Sequence, residues 1–148
     1  MYYAAGETYE PDCICYATSE DGYHWEKFPY NPIKTKNKQW YSRCKVSIGQ
    51  VLKKLDNLYM YMMFYIAYKD VDSAYICLAT SKNGYSNWIE STKNPIIVSS
   101  PTPASWNADA CYKPTILVRN KKIYIWYNGR KGTSEYIGLR ICDLDNLF

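Results

Sequence analysis

The side chains able to do chemistry here are few in kind. There is one histidine, His24, and it follows a turn beside Trp25 with no partner residue in view. Six cysteines occur, at 13, 15, 44, 77, 111 and 142. None makes a CxxC pair, so a zinc site is not expected. An even count invites a disulfide framework. Cys13, Cys15, Cys77 and Cys142, however, lie in or beside apolar runs, where a reduced thiol packs as a small hydrophobe. That usage points to a reducing, cytoplasmic setting. What remains is carboxylate, guanidinium and ammonium chemistry. The planar fork of Arg43 suits a carboxylate or a sugar acid. Arg130 and Glu135 are close enough in sequence to pair across a loop. Lys113 sits in "YKPT", at the start of a strand-like run. No metal ligand set and no cofactor motif is seen.

Composition narrows the class. The formal net charge is only +4 and the lysines are scattered, whereas nucleic-acid binding calls for a basic stripe. No apolar run of eighteen residues exists, so no membrane span is expected. "MYYAAGETYEPD" lacks the charged start and apolar centre of a signal peptide. Aromatic residues make up 17% of the chain, with 17 Tyr and 5 Trp against 3 Phe. Tyr and Trp join a large apolar face to a polar tip, which suits a β-rich core or a binding surface.

The elements that must position these groups are written as a repeat. Ile14 to Ile33 aligns with Ile76 to Ile96 at eleven identical positions, once an extra residue is allowed before the second Trp. "YIGLRICDLDN" begins a third, weaker copy, with Ile137 at the place of Ile14 and Ile76. Each copy follows a short aromatic run: "MYYAAG", "YMYMMFYIAY" and "IYIWYNG". Such runs bounded by turn residues read as buried strands. Upstream of two of them lies a further strand, joined through the polar turns Asp56-Asn57 and Asn120-Lys121, a hairpin signature. One unit therefore has four strands. The first is "KVSIGQVL" or "KPTILV", and the second "MYMMFY" or "IYIWY". The third is "AYICLATS" or "YIGLRI", and the fourth "HWEKF" or "NWIES". Gly22 and Gly84 supply positive φ between strands three and four. Asn-Pro closes the unit, since Pro is disfavoured within a central strand. No stretch reads as an amphipathic helix.

Four antiparallel strands repeated every sixty residues or so describe a β-propeller blade. The expected fold is all-β: a partial blade over 1–39, a complete blade over 40–100 and a partial blade over 101–148. Trp25 and Trp88 are expected to pack between neighbouring blades. About ten strands make two and a half blades, whereas propellers close with four or more. The open flanks then require either further blades or association with other copies.

"WNADACYKPTILV", "IWYNGRKGTSEYIGL" and "ATS-x-[DN]-G-Y-x-W" with "NPI" resemble the five-bladed propeller glycosidases, over nearly the whole chain but only about half of such a ring. That group includes the arabinanase, β-xylosidase, levansucrase and invertase clans and the β-mannoside phosphorylases. The resemblance implies an active site at the centre of the ring, with acids at the starts of innermost strands. Glycoside cleavage needs two carboxylates, one to protonate the leaving oxygen and one to activate water or attack carbon. Matched position by position, Asp109 is the catalytic candidate and Glu135, opening strand three, the second. The corresponding place in the preceding unit, Ser42-Arg43-Cys44, has no acid. Asp12 and Glu10 occupy the equivalent loop of the first unit. Arg43, Tyr41, Tyr112, Lys113 and Arg130 are the expected substrate-binding residues, the two tyrosines by stacking on a sugar ring or, equally, by packing in the core. Two functions stay open: glycoside hydrolysis or transfer, and a non-catalytic carbohydrate-binding or assembly module, which the missing acid at Arg43 favours. A partial gene product without separate activity is a third. The expected partners are carbohydrate and either missing blades or further copies of the chain.

Overall fold

The computed structural model describes residues 1–6, 11–53 and 61–148. Glu10 and the Asp56-Asn57 turn lie outside the described residues. The architecture is three antiparallel sheets in chain order. The first contains β1 (Tyr2–Ala5), β2 (Cys13–Thr18), β3 (Glu26–Lys27) and β4 (Lys34–Thr35), with both β3 and β4 paired to β2. The second runs β5 (Lys45–Lys53), β6 (Tyr61–Tyr68), β7 (Ala74–Ser81) and β8 (Ile89–Glu90). The third is β9 (Ala110–Arg119), β10 (Lys122–Lys131) and β11 (Ser134–Asp143), with β11 at its edge. A short 3-10 turn, Leu144–Leu147, stands where the earlier copies make the glycine turn between strands three and four.

The repeat sets the packing because a strand shows alternate residues to opposite faces. In the second sheet Phe64 opposes Leu78 and Ile66 opposes Ile76. Phe64, Leu78 and Ile76 are fully buried against Cys111, Ile116, Ile123 and Ile125 of the third sheet. The other face of the second sheet carries Met63, Tyr65, Cys77 and Ala79, which meet Ile14 and Tyr2 of the first. Each junction is thus one sheet's face stacked on the next, as in successive propeller blades.

Polar ties reinforce both junctions. Between sheets two and three, Gln50 brackets Ile116: its Oε1 accepts from the Ile116 N–H at 2.6 Å and its Nε2 donates to the Ile116 carbonyl at 3.3 Å. Between sheets one and two, Lys34 Nζ meets Glu90 Oε1 at 2.6 Å, while Asn37 and the Tyr41 hydroxyl donate to the same carboxylate. Burial alone would raise the Glu90 pKa, but Lys34 and these donors hold it below the ordinary value.

Asn-Pro does more than end the unit. Asn31 receives the Tyr16 N–H at 2.8 Å and donates to the Tyr16 carbonyl at 2.9 Å. Asn94 does the same to Leu78, also at 2.8 and 2.9 Å. The expectation for the two tryptophans holds for one. Trp88 packs between sheets, 6.4 Å from the Tyr2 ring and nearly perpendicular to it. Trp25 stays 42% exposed and donates back to its own turn, at the Gly22 carbonyl. The difference follows from position: among the described residues no other sheet covers the flank on which Trp25 lies.

Candidate functional site

The chemistry gathers at the end of the third sheet where β9 starts and the β10–β11 hairpin turns. The N–H of Asp109 donates to the Arg130 carbonyl at 3.0 Å, fixing the start of the innermost strand against the hairpin. Its carboxylate accepts from the Gly132 N–H at 2.6 Å. Gly132 has φ +57, so the tight turn can aim that N–H inward. Around Asp109 opens a cleft of about 800 Å³, with Trp106, Tyr136, Lys131, Thr133 and Ser134 in its walls.

Trp106 is placed by two absences. Ala110 opposes Arg130 in the ladder, and Gly129 and Gly138 lie on the opposite face of the sheet, beneath the indole. A β-carbon at either glycine would overlap the Trp106 ring. The indole also contacts Tyr127 at 5.8 Å and Tyr136 edge-on at 6.5 Å. Trp40 stands against Tyr75 in the same way one unit earlier, at 5.3 Å. The Trp-Tyr pair is therefore a repeated feature; Asp109 shares a cleft with it in the third unit, and Asp70 lies near Tyr75 in the second.

Glu135 belongs to a second cluster. Its carboxylate accepts from the Tyr112 hydroxyl and from Asn128 Nδ2, and Lys113 Nζ lies 3.9 Å away. The Tyr112 hydrogen bond, with help from Asn128, Lys113 and Arg130, holds Glu135 below the ordinary carboxylate range. Burial and the facing carboxylate push Tyr112 up to about 12, so its hydroxyl stays protonated and donates. Lys113 has φ +51, an uncommon conformation for a residue with a β-carbon, and it sits at the bulge in β9. Such outliers cluster at sites where a side chain must be re-aimed.

The two carboxylates do not converge. Ala110, Arg130 and Glu135 oppose one another across the ladder and share a face. Asp109 precedes Ala110, so alternation sends its side chain to the other face. Arg130 turns to the second sheet instead of to Glu135, donating to the Asp72 carbonyl at 2.6 Å with Asp72 Oδ1 at 3.8 Å. Arg43 Nε donates to the Lys69 carbonyl at 3.4 Å, in the second unit. Tyr41 is buried, and its hydroxyl donates to Glu90 in the junction core, so its ring packs there and presents no face to a sugar. The Asp12 N–H donates to the Ala5 carbonyl, and its carboxylate lies near the Cys13 thiol, in the first unit and away from Asp109. Sequence reasoning passed over Trp106, Tyr136 and Asn128. In the sequence Trp106 stands only as the counterpart of Trp40, each a few residues ahead of a Cys, and three-dimensional contact places it in the cleft with Asp109. Among the described residues no group of three metal-ligating side chains is found.

A family model described as "Glycosyl hydrolases family 32 N-terminal domain" matches residues 2–140. The chain belongs to that family. Solved structures agree on the fold. A "Glycoside hydrolase" superposes with a TM-score of 0.65 at 19% identity, covering 89% of this chain and 35% of its own. A second structure, described as a BT0996 RGII complex, gives 0.65 at 16% identity, covering 88% and 36%. The protein therefore spans about a third of the length of these structures. No curated protein matches it. The family 32 assignment makes the three sheets blades of a glycosidase-type propeller, incomplete relative to the solved ones.

Proposed function

We propose that this family 32 chain binds carbohydrate in the Asp109 cleft and does not by itself complete glycoside hydrolysis. The observation that carries the reading is the single oriented carboxylate beside an aromatic wall. A carboxylate accepts hydroxyl hydrogen bonds, and an indole or phenol ring supplies an apolar surface for a sugar ring. Hydrolysis needs a second carboxyl across the bond, one of the pair kept protonated. Glu135 lies on the opposite face and is held in its ionised form. It serves better as a clamp on Tyr112 and Lys113 than as a proton donor. We also assign the chain to a reducing compartment, on the two thiols, Cys77 and Cys111, packed in its core.

The test is a tryptophan-fluorescence titration with oligosaccharides derived from inulin, xylan, arabinan, mannan and pectin, run beside an aryl-glycoside turnover assay. At least one oligosaccharide should change the emission, with no aryl release. Asp109→Asn should weaken that binding by roughly tenfold or more, the scale of a lost charge-assisted hydrogen bond, with an unchanged melting temperature. Turnover by the wild type that Asp109→Asn abolishes would establish the enzyme reading instead.

A further inference from the structure

The two outer flanks of the three-sheet stack are equivalent to faces that are buried inside it. On the third sheet Trp126 opposes Leu139, Asn128 opposes Ile137 and Tyr124 opposes Ile141. These are the repeat positions of Phe64-Leu78, Ile66-Ile76 and Met62-Thr80, which the third sheet covers in the second. Leu78 and Ile76 are 0% exposed, whereas Leu139 is 49% and Ile137 78% exposed. At the other end, Tyr3-Cys15 of the first sheet matches Tyr65-Cys77, the pair that the first sheet covers in the second. The turns agree. A β-carbon at Gly84 would meet the Tyr2 hydroxyl and the Tyr61 ring, whereas at Gly22 it would meet nothing.

The two flanks are therefore the two halves of one junction, a junction the chain already forms twice within itself. The charged side chains at the two flanks differ in sign. Asp21, Glu20 and Glu26 lie around Trp25 on the first sheet, and Arg119 and Lys122 oppose each other on the Tyr124-Trp126 face of the third. Opposite charge favours this pairing and disfavours either flank meeting itself.

We propose that the third-sheet flank of one copy docks on the first-sheet flank of a second copy, head to tail, repeating the internal blade junction between chains. The contact is heterologous: each copy offers one donor and one acceptor flank, so the assembly extends or closes into a ring. This proposal is independent of sugar binding at Asp109, because the cleft and its readout are not used in testing it.

Sedimentation velocity on complementary blocked variants tests it. Leu139→Glu sets a negative charge on the third-sheet flank, facing the acidic flank of the next copy. Trp25→Lys sets a positive charge on the first-sheet flank, facing the basic one. Ile137→Glu, at a more exposed position, replaces Leu139→Glu should that variant misfold. Wild type should sediment as dimers or larger, with size rising over a roughly hundredfold concentration series, and more weakly at high salt. Each variant alone should be a monomer. Mixed in equal amounts, they should form a 1:1 dimer and nothing larger, because one intact flank of each kind remains. A wild type that is monomeric throughout overturns the proposal and leaves the flanks to a different polypeptide. A mixture that stays monomeric, or a single variant that still dimerises, overturns the head-to-tail contact.

Discussion

Gly129 and Gly138 lack side chains where the Trp106 indole must lie against the hairpin. Gly138→Ala should force the ring out, costing about 1–3 kcal/mol by overpacking and weakening sugar binding along with stability. Urea unfolding and the fluorescence titration check the two effects on one protein. Glu90 makes a separate prediction at this scale. Its folded pKa lies below the ordinary 4.5, so its ion pair with Lys34 contributes stability above that value. The contribution is lost as pH falls through the lowered folded pKa. Glu90→Gln should be less stable than wild type at neutral pH, with the gap narrowing on acidification, as urea midpoints at pH 7 and in the acid limb would show. Asp109 could be read from the sequence because it breaks the agreement between repeat copies. Its aromatic neighbours could not be, since Trp106 and Tyr136 become a wall only after two glycines admit the indole.

Strands were legible wherever aromatic and β-branched runs end at turn residues. β7, Ala74–Ser81, is the stretch "AYICLATS" itself. The fourth strands shrink to two residues, Glu26–Lys27 and Ile89–Glu90, because Asn-Pro takes over the edge. Pro marked the exit in the sequence, but the bracketing of strand three by Asn31 and Asn94 depends on which way the Tyr16 and Leu78 main chain points. Asn94→Ala leaves the Leu78 N–H unpaired in a buried setting, while the Leu78 carbonyl keeps its bond from the Ser91 N–H, with an expected cost of about 1–3 kcal/mol. Asn31→Ala should cost less, because Tyr16 is only half-buried. Paired urea titrations would rank the two.

Across the molecule the 62-residue offset runs further than the motif that revealed it. Tyr2, Phe64 and Trp126 fall at one position, and Tyr3, Tyr65 and Tyr127 at the next. The sequence showed the period, but conservative changes among aromatic residues hid this register. Equivalence of position does not mean equivalence of burial. Leu78→Ala should cost about 2–5 kcal/mol, as for a buried leucine, while Leu139→Ala at high dilution should be nearly neutral. Equal costs would mean that the third-sheet flank is already covered. The central claim is that carbohydrate meets this chain at the Asp109 cleft. It is tested most directly by ¹⁹F NMR of protein carrying 5-fluorotryptophan, with the Trp106 resonance assigned through Trp106→Phe. An oligosaccharide that binds should shift Trp106 and leave Trp25 and Trp88 in place, and Asp109→Asn should suppress the shift. A sugar-induced shift at Trp25 or Trp88 with Trp106 unmoved would contradict the account.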